Sequence, residues 1–342
     1  MKIGILTGGG DCPGLNPVIR AAVRYSINKG YKITGIKDGW KGLLENDYFP
    51  LDINSVSGIL SKGGTILGTS RTNPYKKEGG VDRIIENVKK SKFDAIIAIG
   101  GEDTLGVAAK LVKNGFPNIV GVPKTIDNDL SLTDYTFGFD TALNIVMECI
   151  DRLHTTAESH HRVIVVEVMG RHAGWIATLG GIAGGADVVL IPEIPYDIEE
   201  VCDLLKRRQQ RGKTFSIVVV SEGAKSKCED LITQDSNLDE FGHIRLGGIG
   251  EIISREIEKK TGFQTRTSVL GHIQRGGTPT AFDRILGTRF GIHAVELIEL
   301  KKFGHMVALS GNKITDVPID EAVKKLKTID MELYNVAKVF FG

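Results

Sequence analysis

Five short runs of β-branched and aliphatic residues each end in a turn of glycine or small polar residues, a rhythm that few folds accommodate. Lys2–Thr7 enters Gly8-Gly9-Gly10-Asp11-Cys12-Pro13-Gly14, and Asp94–Ile99 enters Gly100-Gly101-Glu102-Asp103-Thr104. Ile119–Val122 enters Pro123-Lys124-Thr125-Ile126-Asp127-Asn128-Asp129. Val163–Val168 enters Met169-Gly170-Arg171-His172-Ala173-Gly174, and Ser216–Val220 enters Ser221-Glu222-Gly223. Glycine makes up 42 of 342 residues, well above the roughly 7% of an average chain. A helical pattern from Asn16 to about Asn28 follows the first turn, with Asn16 suited to the N-cap and Pro17 to the first helical position. Another follows the second turn to about Asn114. Nearly continuous apolar runs alternating with helices predict parallel strands covered on both faces. The expected architecture is α/β, two similar doubly wound domains facing each other across a cleft, with a boundary near residue 140. Such sheets bind ligands beyond the carboxyl ends of their strands, where these turns lie.

Charge excludes several functional classes. Lys+Arg is 43 and Asp+Glu 42, a formal net charge of +1, so no bulk field attracts nucleic acid or a membrane surface. The four cysteines, Cys12, Cys149, Cys202 and Cys228, form no C-x-x-C pair and fit a reducing compartment better than a zinc site or a disulfide framework. The N-terminal apolar run reaches the polar turn at Asp11 too soon for a signal peptide, and no apolar stretch has spanning length. The expected location is cytoplasmic.

The turns carry chemistry in different degrees. Three glycines before a helix let backbone N–H groups approach an anion; the alternative is a tight turn that binds nothing. The string is neither G-x-G-x-x-G nor a Walker A loop, so a nicotinamide cofactor is poorly supported. Glu102 and Asp103 in the second turn would repel phosphate unless a cation such as Mg²⁺ intervened, and they could equally cap the next helix. Asp127 and Asp129 follow Lys124 and Thr125. A carboxylate accepting a hydroxyl proton while a lysine holds the phosphoryl group is a division of labour suited to phosphoryl transfer; the alternative is an Asx turn. Arg162, Arg171, Arg266 and Arg275 carry forks suited to a sugar phosphate. His160 and His161 lack a carboxylate at metal-ligand spacing and read as turn or interface residues.

Six strings in order resemble the phosphofructokinase family: G-G-D-C-P-G at 9–14, G-G-E-D-T at 100–104, P-K-T-I-D-N-D at 123–129, M-G-R at 169–171, S-E-G at 221–223 and L-G-H-I-Q-R-G-G at 270–277. The resemblance implies Mg²⁺-assisted phosphorylation of the 1-hydroxyl of fructose 6-phosphate. It implies a phosphoryl-donor domain of residues 1–139 plus about 275–322, and a fructose 6-phosphate domain of 140–274 plus about 323–342. Carried over by motif, Asp127 is the general base and Asp129 its acidic neighbour near metal and phosphoryl group. Thr125, Ile126, Met169, Gly170, Arg171 and Glu222 serve the sugar or the transferred group, and His272 and Arg275 the 6-phosphate. Arg162 and Arg266 match positions that reach in from a neighbouring subunit, so a homotetramer or homodimer is expected. Gly9, Gly10, Gly101 and Arg71 match the donor-phosphate site, and Glu102 the metal carboxylate.

ATP-using members of the family read G-G-D-G-S and P-G-T-I-D-N-D where this chain has Asp103 and Lys124. A negative side chain near a nucleotide's α-phosphate, at about 4 Å and an effective dielectric near 20, is repelled by roughly 4 kcal/mol. Lys124 adds a cation that suits the phosphates of pyrophosphate. The pair resembles the pyrophosphate-dependent branch, Asp103 more diagnostically than Lys124, since some ATP-using relatives carry the lysine while keeping glycine at the position of Asp103. A reversible reaction is expected; the alternatives are an ATP-dependent enzyme and, more remotely, a non-catalytic metabolite sensor. At the effector positions of bacterial relatives Arg20, Arg24, Arg211 and Lys213 are kept, but Ile53 and His154 replace arginines. Little allosteric response is expected.

Overall fold

A computed structural model of the chain describes all residues except 117, 228–234, 239–243 and 246, so Cys228 lies outside the described residues. In chain order the strands are β1 Lys2–Thr7, β2 Lys32–Ile36, β3 Tyr48–Leu51, β4 Ala95–Gly100, β5 Ile119–Thr125, β6 Phe137–Gly138, β7 Val163–Val168, β8 Val188–Leu190, β9 Ser216–Ser221, β10 Asp235–Leu238, β11 Ile244–Arg245, β12 Thr265–Val269, β13 His305–Ser310 and β14 Lys313–Pro318. The helices are α1 Leu15–Asn28, α2 Trp40–Glu45, α3 Gly80–Ser91, α4 Glu102–Lys113, α5 Phe139–His160, α6 Trp175–Ala183, α7 Ile198–Gln210, α8 Ile249–Thr261, α9 Ala281–Glu299, α10 Ile319–Ala322 and α11 Met331–Lys338. Two compact units divide the chain. The first takes Met1–Thr141 and Arg275–Leu326; the second takes the other described residues up to Gln274 and Lys327–Gly342.

The first unit's sheet runs β14-β13-β5-β4-β1-β2-β3, with β6 paired to β5. Its centre is parallel, as the apolar runs predict: β4 is buried along its whole length between β1 and β5. The edges are not parallel. β3 and β14 pair antiparallel to β2 and β13, and both are largely half-exposed, as edge strands are. On one face α1 packs against α9. A Cβ on Gly291 would come 2.4 Å from the Val18 carbonyl oxygen, so the two helices meet backbone to backbone only because position 291 has no side chain.

The start of α1 differs from the expectation. Gly14, with φ 111°, occupies the N-cap, and Asn16 and Pro17 lie inside the first turn. The buried Asn16 amide instead donates to the carbonyls of Lys62 and Gly63, at 3.1 and 3.3 Å, and accepts from Ile66 N at 2.9 Å. Tying down a distant loop outweighs a local cap.

The second unit has a smaller sheet, β12-β7-β9-β8, parallel throughout. Val163, Val165, Val188, Val218 and Val220 form its core with Ile253 and Ile257 of α8 and Val201, Cys202 and Leu205 of α7. The apolar C-terminal tail packs partly onto this unit. Tyr334 of α11 is buried and donates to the Val189 carbonyl at 3.0 Å, whereas Val336, Val339 and Phe340 are exposed. Cys12, Cys149 and Cys202 are free thiols. Among the described residues no helix is long and apolar enough to cross a membrane.

The chain leaves the first unit within α5, and a buried carboxylate anchors that exit. Asp283, in the first turn of α9, accepts from Thr141 N at 2.8 Å and from Thr141 Oγ1 at 2.5 Å. Burial pushes its carboxyl up to about 6, against the hydrogen bonds from Thr141 that hold it down. The folded state therefore grips the proton more tightly than the unfolded chain. This contribution to stability is complete below the ordinary carboxylate range and is lost as pH rises through about 6. Between about pH 4 and about pH 7, urea unfolding should show wild type losing about 3 kcal/mol relative to Asp283→Asn, which has no proton to lose there. Parallel stability profiles would contradict this.

Candidate active site

In the first unit three strand ends bring their turns together. Lys124, at the end of β5, is buried, and its ammonium donates to the Gly10 carbonyl at 2.5 Å. A Cβ on Gly9 would stand 3.4 Å from the same Nζ, and one on Gly8 would stand 2.6 Å from Thr104 Oγ1 of α4. Gly8 therefore admits the threonine from a neighbouring turn, and Gly9 lies within contact distance of the lysine. The Gly9 amide donates to the Ser70 carbonyl at 3.0 Å, and Thr69 Oγ1 donates to the Gly9 carbonyl at 2.6 Å. This clasp carries the exposed Arg71 next to the loop. Arg275 reaches the loop from the far end of the sequence. Its guanidinium donates to the Asp11 carbonyl at 3.3 Å and lies 2.5 Å from where a Gly10 Cβ would be.

The second turn opens α4. Gly101 occupies the N-cap, so Glu102 and Asp103 are first-turn residues rather than the cap, where carboxylates are favoured by the helix dipole. A Cβ on Gly101 would lie 3.3 Å from the Lys124 carbonyl, so the start of α4 abuts the end of β5. Cys12 is fully buried, and burial pushes its thiol up to about 12, far from a reactive thiolate.

The third turn is closed by its middle residue. Asn128, at φ 51°, accepts from Thr136 N at 3.1 Å and donates to the Asp134 carbonyl at 3.3 Å. Thr136 Oγ1 donates to the Thr125 carbonyl at 2.8 Å, and Thr125 Oγ1 accepts from Asp127 N at 3.0 Å. Asp127 and Asp129 are both buried, and Ile126 puts its side chain into the core. The buried Oδ1 of Asp127 has no hydrogen-bond partner among the described residues. Such an atom costs stability unless something bound later satisfies it.

The second unit holds the remaining candidates at both ends of its sheet. At the carboxyl end, Met169-Gly170-Arg171 follows β7. Gly170 has φ 141° and Arg171 has φ 49°, a strained run of the kind that concentrates at functional sites. Arg171 N donates to Glu222 Oε1 at 3.2 Å, and Glu222 N donates to the Val168 carbonyl at 2.8 Å. His272 is exposed in a 3-10 turn, Gly271–Arg275. Arg162 and Arg266 are elsewhere. Arg162 immediately precedes β7 and bonds Gln264 Oε1 at 2.7 Å; Arg266, early in β12, bonds the Thr265 carbonyl at 2.7 Å. A strand rise puts them about 20 Å from the Met169 end of β7, so the fold of one unit does not bring them to its own loop. Of the effector-position residues, His154 Nε2 is 2.7 Å from the Gly184 carbonyl and Arg211 donates to the Gly342 carbonyl at 2.8 Å.

Asn128, Thr104 and Gln274 were not singled out in the sequence. Each stands inside or beside a quoted string, but only the fold reveals its partner. Gly223 shows how closely these loops are set: a Cβ there would fall 1.7 Å from the Arg171 carbonyl oxygen. Backbone must then move, so Gly223→Ala should cost about 1–3 kcal/mol in stability and about a hundredfold in turnover. Thermal unfolding and steady-state kinetics check both; wild-type kinetics would mean the Arg171 loop tolerates displacement.

Comparison with known proteins accords with this geometry. The family model described as Phosphofructokinase matches residues 2–298. A Streptomyces coelicolor protein named pyrophosphate–fructose 6-phosphate 1-phosphotransferase is 59% identical, over 100% of both chains. A second protein of that organism, named ATP-dependent 6-phosphofructokinase 3, is 52% identical over 99% of both chains. Among solved structures, Pichia pastoris phosphofructokinase in the T-state superposes with a TM-score of 0.84 at 35% identity, over 99% of this chain but 38% of that longer one. By family model, by full-length relatives and by fold, this chain belongs to the phosphofructokinase family.

Proposed function

We propose that this protein transfers a phosphoryl group from pyrophosphate to the 1-hydroxyl of fructose 6-phosphate, giving fructose 1,6-bisphosphate and phosphate. The observation that carries the donor assignment is Asp103 in the first turn of α4, accompanied by Lys124, buried at the end of β5 with its ammonium on the Gly10 carbonyl. A cation fixed on a glycine loop suits a compact, highly charged donor. Asp103, in the first turn of α4, adds a negative charge on the side where a nucleotide would extend. The full-length relative at 59% identity supports the same donor by its name.

Asp127 takes the proton of the attacking hydroxyl through its buried Oδ1. The hydroxyl oxygen bonds to phosphorus while the bridging P–O bond breaks and phosphate leaves. Lys124, Gly9, Gly10, Gly101, Asp103 and Arg71 hold the donor, and Asp129 stands beside the transferred group. Arg171, Glu222, Met169, Gly170, Thr125 and Ile126 set the sugar and the transferring group. His272 and Arg275 serve the 6-phosphate. Arg162 and Arg266, remote from the loop of their own chain, serve a neighbouring subunit in a homodimer or homotetramer.

Mg²⁺ is implied by the family. Among the described residues no group of three or more His, Cys, Asp or Glu side chains forms a ready-made cage. Mg²⁺ commonly takes one or two carboxylates and completes its shell with phosphate oxygens and water. Glu102, exposed in the first turn of α4 and adjacent to the end of β5, fits that donor set, with Asp129 as second carboxylate. The ion would neutralise phosphate charge.

Purified protein with fructose 6-phosphate and Mg²⁺ should turn over with pyrophosphate and not with ATP. Asp103→Gly should then admit ATP, gaining at least about tenfold in kcat/KM for it. Turnover of the wild type with ATP alone would overturn the donor assignment and leave the family intact.

A further inference from the structure

Gln274 makes two hydrogen bonds that no role above uses. It is fully buried, although the 3-10 turn that carries it also presents the exposed His272. Its Oε1 accepts from Met169 N at 3.3 Å, and its Nε2 donates to the Gly271 carbonyl at 3.0 Å. A buried amide satisfied on both sides between two turns is a spacer of defined length.

The sheet shows why a side chain is needed there. β12 and β7 exchange parallel ladder bonds, from Val163 N to the Gln264 carbonyl at one end to Leu270 N on the Glu167 carbonyl at the other, both 3.0 Å. Every second amide of β7 faces β12, so the next in the series is Met169 N. The register ends at Val269 opposite Glu167, and the chain then turns into the Gly271–Arg275 helix. The Gln274 amide takes the place of the missing peptide and carries the pairing one step beyond the strand. On the other side of the loop, Glu222 holds Arg171 N. Met169-Gly170-Arg171 is thus pinned from β9 by Glu222 and from the His272 turn by Gln274. Glu167, which also accepts from Gly248 N and Gly250 N at 3.1 and 2.8 Å, ties the same end of β7 to the start of α8.

We infer that Gln274 is a positioning residue for the sugar phosphate: it fixes the distance between the Met169-Gly170-Arg171 loop and the turn bearing His272, and so governs affinity for fructose 6-phosphate without touching it. Resting on the fructose 6-phosphate half of the proposed function, this role is independent of which donor is used.

The test compares wild type, Gln274→Met and Gln274→Glu. Calorimetry without donor reads fructose 6-phosphate binding, and steady-state kinetics reads the donor KM. Gln274→Met keeps length but neither accepts nor donates. It should raise the Kd for fructose 6-phosphate by about tenfold while the pyrophosphate KM stays within about twofold. Gln274→Glu still accepts from Met169 N and regains a proton for the Gly271 carbonyl at acid pH. Its Kd relative to wild type should fall between about pH 8 and about pH 5.5, whereas the ratio for Gln274→Met stays flat. An unchanged Kd in both variants, or equal effects on both substrates, overturns the inference. Should Gln274→Met not fold, a flat ratio for Gln274→Glu overturns it alone. A wild type that binds no fructose 6-phosphate defeats the substrate assignment instead, before any variant is compared.

Discussion

The side-chain amide of Asn128 is the contact on which the candidate catalytic loop depends. It accepts from Thr136 N and donates to the Asp134 carbonyl from a backbone at φ 51°. Asparagine tolerates this region better than most residues, and its amide replaces the peptide pairing that ends with β5. Because Asn128 closes the turn, Asp127 need not, and its Oδ1 stays buried without a hydrogen-bond partner among the described residues. The loop is also braced from behind. Asp134 N bonds the Leu309 carbonyl at 2.9 Å, and Leu309 N bonds Thr133 Oγ1 at 3.0 Å, so the antiparallel β13–β14 edge serves as its buttress.

The two units solve the same problem with different means. At a parallel strand's carboxyl end the ladder stops while the chain must still be held in place. The first unit uses Asn128, Lys124 and the Thr69–Ser70 clasp on Gly9. The second uses Glu222, Gln274 and Glu167. In each, polar side chains finish the backbone's hydrogen bonding where the ladder ends. Functional groups are thus placed by a frame that is mostly backbone, the arrangement that keeps loop geometry precise.

Much of this was legible in the sequence, for physical reasons. A strand buried on both faces, such as β4, must be apolar at every position, so its run is visible without alternation. Gly9, at φ 81°, holds a backbone conformation that other residues rarely adopt, so it marks its loop. What stayed hidden depends on long-range partners. Asn16 had the chemistry of a cap, but its partners lie near residues 62–66. Gln274 stood in plain view in its string, yet nothing local says that its amide meets Met169 N, 105 residues away. The antiparallel edges escaped too, because short half-exposed strands such as β3 have little periodicity to detect. Resemblance implies that Arg162 and Arg266 reach in from a neighbouring subunit, and the strand register puts both toward the end of the sheet opposite their own loop.

At the centre of the account is the claim that Asp127, freed by Asn128 from closing its own turn, takes the proton during transfer. The most direct test is Asp127→Asn, which keeps shape and burial but removes the base. With pyrophosphate and fructose 6-phosphate at saturation, kcat should fall by about 10²–10⁴-fold, while the Kd for fructose 6-phosphate and the unfolding midpoint stay near those of wild type. A variant that turns over within about threefold of wild type would show that the proton goes elsewhere.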